Sequence, residues 1–276
     1  MITLFRFLSR LPLWLLHVLG WGVGWGVFLA SASYRQRFLA NVRQAGIGRR
    51  QWMAAVGQAG MALVEWSRLW LGRPVRIEWE GAEHVAHALD QGRGIVFLTP
   101  HLGGFEITGQ AYAQRFGARQ PVTALFRPSR QPWLRELVAA ARSRPGLKQV
   151  PTTVAGVKQM IKALRQGQAV GLLPDQVPPQ GMGVWAPFFG KPAYTMTLSA
   201  RLVQQTGALV VLVWGERLSW GRGYRMHARP LGVEMPAEIE AATAVVNQAM
   251  ERVIAECPHQ YLWGYARYKQ PRQEAV

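Results

Sequence analysis

After Gly72 and Pro74 the chain alternates short apolar runs with longer stretches of helical spacing, and few folds accept that order. Strand-like runs fall at 75–79, 95–99, 122–126, 169–173, 209–214 and 224–228. Helical patterns lie between them near 84–89, 105–116, 132–143, 154–165 and 196–205, and a last one covers 236–256. Such alternation predicts an α/β fold with a mostly parallel central sheet flanked by helices. Gly94-Ile-Val-Phe-Leu-Thr99 is apolar throughout, as a strand covered on both faces must be. With 276 residues, 49% of them apolar, the chain can bury a substantial core. No repeat, low-complexity tract or second-domain linker interrupts it.

The segment before this alternation has a different character. Residues 11–32 form an apolar stretch long enough to span a bilayer, with Trp14, Trp21 and Trp25 and with His17 as its ionisable group. Arg6 and Arg10 precede it, and Arg35, Arg37, Arg43, Arg49 and Arg50 follow. The expected organisation is an N-terminal membrane anchor over 1–34 and one domain over 35–276, on the cytoplasmic side by the positive-inside bias. Two other readings are open. Ala30-Ser31-Ala32 resembles a signal-peptide cleavage site, although the apolar run is long and the denser basic flank lies on the wrong side for export. The glycines at 20, 22, 24 and 26 weaken helical propensity, which suits an interfacial helix, and their small-xxx-small spacing suits packing against another helix. Residues 49–71 read as a further helix, stopped by Gly72 and Pro74.

Lys and Arg outnumber Asp and Glu by 32 to 15, giving a formal charge of +17, so an anionic partner is expected. Twelve tryptophans and the apolar N-terminus favour an anionic membrane over nucleic acid, which is not expected as a partner. Cys257 is the sole cysteine, which leaves no internal disulfide, and no His/Cys group has zinc-ligand spacing; neither metal nor cofactor is expected.

The chemistry concentrates in Thr99-Pro-His-Leu-Gly-Gly-Phe-Glu-Ile107, at the carboxyl end of the 95–99 strand, where open α/β sheets place ligands. His101 is the candidate general base and Glu106 the candidate group that orients it. The pair lies five residues apart, about 140° around an ideal helix, so it converges only if Gly103-Gly104 bends the chain. The N–H groups of Gly103 and Gly104 are candidate donors to a developing oxyanion, and Arg127, at another strand end, is a third. Asp175 and Gln176 follow the 169–173 strand in the same way and could orient an acceptor or fix a loop. The other histidines have weaker settings: His84 and His87 on a solvated helix face, His227 in a strand, His259 beside a proline. Gly181-Met-Gly-Val-Trp-Ala186 formally matches a dinucleotide fingerprint, but Pro187-Phe-Phe-Gly190 stands where its helix should begin. Neither a Walker loop nor a Gly-x-Ser-x-Gly elbow is found, so an NTPase and a serine hydrolase lack support.

Five blocks in order, His101-Leu-Gly-Gly-Phe-Glu106, Phe126-Arg-Pro128, Leu172-Leu-Pro-Asp-Gln176, Ala186-Pro-Phe-Phe-Gly-Lys-Pro192 and Pro258-His-Gln-Tyr-Leu-Trp263 with Arg267-Tyr-Lys269, resemble the bacterial lipid A biosynthesis acyltransferases of the lauroyl/myristoyl type, within the glycerolipid acyltransferase superfamily. The resemblance implies a glycerolipid acyltransferase-like α/β domain over 35–276. It also implies transfer of a fatty acyl group from acyl carrier protein to a hydroxyl of an anionic glycolipid, a lipid A precursor, at the inner membrane. Acyl-acyl carrier protein is then a co-substrate, and no cofactor is implied. Gly264-Tyr-Ala266 departs from the pattern, standing where the family commonly carries a threonine, a histidine and an arginine. A lysophospholipid acceptor is the alternative within this chemistry. A non-catalytic basic protein that binds membrane or nucleic acid is the alternative outside it.

Overall fold

The computed structural model describes residues 2–126 and 144–273. Four helices come first: α1 (Ile2–Arg10), α2 (Leu13–Ala30), α3 (Ala32–Gln44) and α4 (Arg49–Leu71). Strands and helices then alternate as β1 (Ile77–Glu80), α5 (Ala82–Asp90), β2 (Ile95–Leu98), α6 (Ile107–Phe116), β3 (Val122–Phe126), β4 (Leu147–Pro151), α7 (Val154–Arg165) and β5 (Ala169–Leu172). The remainder is β6 (Gly183–Phe188), β7 (Lys191–Met196), α8 (Leu198–Thr206), β8 (Leu209–Arg217), β9 (Tyr224–Pro230) and α9 (Ile239–Glu256).

Seven strands form one sheet in the order β1-β9-β8-β2-β5-β3-β4, parallel at every pairing except β8 with β9, and β6 and β7 form a separate antiparallel ribbon. The mostly parallel α/β sheet therefore has the expected form. Strand β2 lies at its centre, and its side chains alternate between two cores. Val96 and Leu98 pack with Met160 and Leu164 of α7 and with Val246, Met250 and Val253 of α9. Ile95 and Phe97 pack on the other face with Val85 and Leu89 of α5 and Tyr112 and Phe116 of α6.

Several sequence expectations need correction. Strand β4 and the β6–β7 ribbon were not anticipated, because Leu147-Lys-Gln-Val-Pro151 is half polar and Pro187, Gly190 and Pro192 punctuate the ribbon. A proline is tolerated at an edge or in a two-stranded ribbon, where its missing N–H interrupts no interior ladder. The helix expected at 132–143 lies outside the described residues. The apolar stretch 11–32 is shorter as a helix than as a composition, since Pro12 begins α2 and Ser31 ends it. Ser31 Oγ accepts from Tyr34 N at 3.3 Å and caps α3, so Ala30-Ser31-Ala32 forms the corner between two helices.

Helix α2 is long and apolar enough to cross a membrane. One side of it is packed on α4 through glycines: a Cβ on Gly60 would lie 2.0 Å from the Gly20 carbonyl oxygen, and a Cβ on Gly24 would lie 2.2 Å from that of Val56. Gly22 and Gly26 point away and meet nothing within 4 Å. The small-xxx-small spacing thus works within the chain, bringing two backbones together. Trp14, Val18, Leu19 and Leu29 remain exposed on the outer side. Gly60→Leu is expected to separate the two helices at a cost of about 1–3 kcal/mol. Limited proteolysis of α2 alongside thermal unfolding checks this; unchanged protection would contradict it.

Candidate active site

The register between β2 and β5 builds the site. Leu98 pairs with Leu172, so His101 and Asp175 each stand three residues beyond paired positions on adjacent parallel strands. Both chains leave the sheet at its carboxyl edge, where the strand order diverges to either side of β2. Asp175 then holds His101 twice: Oδ1 lies 2.7 Å from Nδ1 of the ring, and Oδ2 accepts the His101 backbone N–H at 2.9 Å. The His101 carbonyl accepts from Leu262 N at 3.2 Å, so backbone and ring are both fixed.

Asp175 is only 2% exposed, against 18% for the His101 side chain. Burial pushes the Asp175 carboxyl up, but the His101 ring and the hydrogen bonds from His101 outweigh it and hold the group below its ordinary value. An ionised acceptor at Nδ1 selects the tautomer with its proton on Nδ1 and leaves a lone pair on Nε2. Gln176 Nε2 lies 3.1 Å from that Nε2, so an amide N–H occupies the position a substrate hydroxyl would take.

This geometry corrects two expectations. Glu106 does not hold the Nδ1 of His101; its Oε2 accepts from Trp70 Nε1 at 3.1 Å, and Asp175 takes the orienting position. The reason is the turn itself: Gly103 and Gly104 are tied to the 258–263 segment and to β8, and the residues after them set the Phe105 ring beside His101 and Glu106 against Trp70 of α4. Gly103, at φ +55°, donates its N–H to Gln260 O at 3.0 Å, and Gly104 donates to Gly215 O at 2.8 Å. Both N–H groups are consumed by the fold, so they are not oxyanion donors. A side chain at Gly103 would lie 2.1 Å from Gly215 O, which makes glycine a packing requirement there. Arg127 lies outside the described residues.

The exposed side of His101 opens on a groove of about 430 Å³. Val23, Gly24 and Val27 of α2 and Ala59, Gly60, Ala62, Leu63 and Trp66 of α4 form its apolar walls. Phe105, Glu106, Gln176, Leu262 and Tyr265 close the end near the histidine, and the ring of Phe105 sits 4.9 Å from that of His101. A larger hollow of about 750 Å³ lies under β3, β4 and α7, but it is lined by Lys148, Lys162 and amides without a histidine or carboxylate. The chemistry selects the smaller one. Gly264 and Tyr265, in the segment that departs from the expected pattern, have structural work: Gly264 packs on the Tyr34 ring, and Tyr265 Oη accepts from Val177 N at 3.0 Å, bracing the loop after Gln176.

Beneath the turn lies a buried ionic cluster that sequence reasoning missed. Arg217, at the end of β8, grips Glu65 of α4 with Nε and Nη2 at 2.6 Å each, bonds Gln58 Oε1 through Nη1, and donates to Gly103 O at 3.1 Å. Tyr224 Oη donates to Glu65 at 2.8 Å, and His17 Nε2 of α2 lies 3.3 Å from the same carboxylate. The cluster therefore ties α2, α4 and β8 to the turn that follows His101. Glu65 was the available signal, as the one acid in α4.

Burial pushes the Glu65 carboxyl up, yet the Arg217 charge and the hydrogen bonds of Arg217 and His17 bring it down to about 2. Relative to an ordinary value of 4.5, that depression contributes on the order of 3 kcal/mol above pH ~4.5, which is lost as pH falls toward 2. Arg217→Met leaves the carboxylate buried without its cation and should cost about 3–5 kcal/mol. Thermal unfolding checks both statements: the wild type should lose stability on acidification through that window, and the variant should unfold far earlier at neutral pH. A variant of normal stability would refute the role.

The chain is similar to known proteins over most of its length. The family described as bacterial lipid A biosynthesis acyltransferase matches residues 48–270, which include His101, Glu106, Asp175, Gln176 and Arg217. The lipid A biosynthesis lauroyltransferase of Escherichia coli (strain K12) is 30% identical over 223 residues, covering 79% of this chain and 71% of that protein. The palmitoleoyltransferase of the same organism is 28% identical over 215 residues, covering 76% and 68%. Its myristoyltransferase is 24% identical over 191 residues, covering 68% and 57%. Three relatives thus differ in the acyl group they are named for. What unites them is acyl transfer in lipid A biosynthesis, and with the match extending from the start of α4 past the last groove-lining residues, the chain belongs to the bacterial lipid A biosynthesis acyltransferases.

Proposed function

We propose that this protein transfers a fatty acyl group from acyl carrier protein to a hydroxyl of a lipid A precursor, with His101 as general base and the reaction at the cytoplasmic face of the inner membrane. The observation that carries the reading is a histidine with its Nδ1 held by a buried carboxylate and its other edge facing an apolar groove. Nothing else among the described residues combines a positioned base with space for an alkyl chain.

In this mechanism the acyl chain lies between α2 and α4, with the thioester carbonyl beside His101. The acceptor hydroxyl displaces Gln176 from Nε2 and gives its proton to that nitrogen as its oxygen attacks the carbonyl carbon. Asp175 stabilises the imidazolium that forms. Collapse of the tetrahedral intermediate breaks the carbon–sulfur bond, and the imidazolium returns the proton to the leaving thiolate. The Gln176 amide, released from His101, is placed to donate to the oxyanion, and Arg127 remains a second candidate. We assign Glu106 to the acceptor side of the groove, since Asp175 already holds the ring. No metal or cofactor is needed by these steps, because the thioester is already activated. The +17 charge suits an anionic glycolipid surface, and the outer side of α2 suits lipid.

Mass spectrometry of the products formed by purified protein from mixed acyl carrier protein thioesters tests the proposal. A lipid A precursor and lysophospholipids are offered together, with coenzyme A thioesters as a second donor set. Acylation of the lipid A precursor is the expected result. Transfer only to a lysophospholipid, or only from coenzyme A, would overturn it.

A further inference from the structure

Strands β8 and β9 are joined by a turn over 218–223 whose conformation is costly in a soluble protein. Trp220, at its tip, is 85% exposed, the most exposed large apolar side chain among the described residues. It also sits at φ +58°, in the left-handed region that a bulky residue seldom occupies. Strain and exposure together disfavour tryptophan there, unless the indole has a use.

The surroundings indicate that use. The turn is closed by Leu218 N donating to Gly223 O at 2.9 Å, and its backbone abuts the first turn of α2: a Cβ on Gly221 would lie 2.3 Å from Trp14 N. Trp14 is exposed there, and Val18, one helical turn further along α2, is exposed as well. Two elements about 200 residues apart in sequence, the start of α2 and the β8–β9 turn, therefore present apolar side chains at one corner of the protein. Arginines stand on the turn and on the elements next to it. Arg222 is exposed and folded back onto Ser219 through bonds of 3.2 and 3.1 Å, and Arg76, whose carbonyl accepts the Tyr224 N–H, has a side chain 73% exposed and ion-paired with Glu78 at 3.0 Å. Arg6 and Arg10 are exposed on α1. An indole at the tip with guanidinium groups around it matches the boundary of an anionic bilayer, where aromatic rings sit at headgroup depth and arginines meet phosphates.

We propose that the 218–223 turn is a second membrane contact, which places Trp220 among the headgroups of an anionic bilayer beside the start of α2. The inference rests on the reading that the outer side of α2 meets lipid, and it adds a point from the catalytic sheet itself. Because β8 also carries Arg217, which bonds the carbonyl of Gly103, that contact fixes the height of the His101 turn above the surface.

Nitroxide labels on full-length protein test this in a Cys257→Ala background, with vesicles of phosphatidylcholine and phosphatidylglycerol. Labels are placed at Trp220→Cys, at Val18→Cys on the outer side of α2, and at Val233→Cys. Position 233 lies beyond the far end of the seven-residue β9, a strand roughly 23 Å long that begins at this turn. The expected result is that labels at 18 and 220 become accessible to oxygen and shielded from nickel on vesicle binding, while 233 stays aqueous. A lipid-exposed 18 with an aqueous 220 overturns the turn's role alone. Aqueous labels at both overturn the membrane reading of α2 as well. Trp220→Gly supplies an independent readout, since it removes the indole and the strain together. It should raise the melting temperature by about 2–4 °C and weaken vesicle binding roughly tenfold. Unchanged vesicle affinity would refute the proposal.

Discussion

His101→Ala is expected to lower acyl transfer by about 10²- to 10⁴-fold, the range over which a positioned general base contributes, while leaving the fold and membrane association unchanged. The separation is expected because the ring is at the surface of the site rather than within a core. Its side chain is partly exposed and its packing partner is Phe105, whereas the turn's backbone is held by Gln260, Gly215 and Leu262, none of which depends on the imidazole. Single-turnover formation of acylated lipid, read beside thermal unfolding and vesicle flotation, checks the prediction. Retained turnover in a normally folded variant would remove the enzymatic role of His101 and favour the non-catalytic alternative.

Asp175→Asn should produce a loss of comparable order, up to about 10²- to 10⁴-fold, by a different route. An asparagine can still accept the His101 backbone N–H, but its amide nitrogen would then face Nδ1 and donate to it. The ring proton would move to Nε2, and the base would be lost without any change of shape. Nitrogen-15 spectra of the labelled ring should show the proton on Nδ1 in the wild type and on Nε2 in the variant. Glu106→Gln should leave that tautomer as it is, because its carboxylate bonds Trp70 and not the ring. A wild-type tautomer in Asp175→Asn would sink the assignment, as would a switched tautomer in Glu106→Gln.

The alternation that predicts the sheet is legible because strands such as β2 are apolar on both faces and helices such as α7 are amphipathic between clear stops. Residues 154–165 are helical as expected, with the Thr153 hydroxyl capping the first turn at 3.3 Å. His101 is legible for the same reason, since the end of an apolar strand is visible in sequence. Its partner is not. Glu106 is near in the chain, but 74 residues separate His101 from Asp175, and only the pairing of Leu98 with Leu172 brings them together. Local proximity favoured Glu106, whereas the carboxylate that bonds the ring is Asp175. The oxyanion assignment to Gly103 and Gly104 failed similarly: a glycine pair reads as open backbone, while β8 and the 258–263 segment claim both N–H groups. The Glu65–Arg217 pair joins positions 152 residues apart, so neither residue had a visible partner.

Pinning α2 to α4 through Gly20, Gly24 and Gly60 has a consequence for anyone who trims the protein to make it easier to handle. A version cut before Arg49 would keep His101, Asp175 and the whole sheet, but it would strip Phe28, Phe38 and Val42 from the main core. It would also have lost Val23, Gly24 and Val27, one of the two long walls against which an alkyl chain can lie. Such a fragment would report on the proton transfer and misreport the selectivity, so chain-length preferences are properties to measure on the uncut polypeptide.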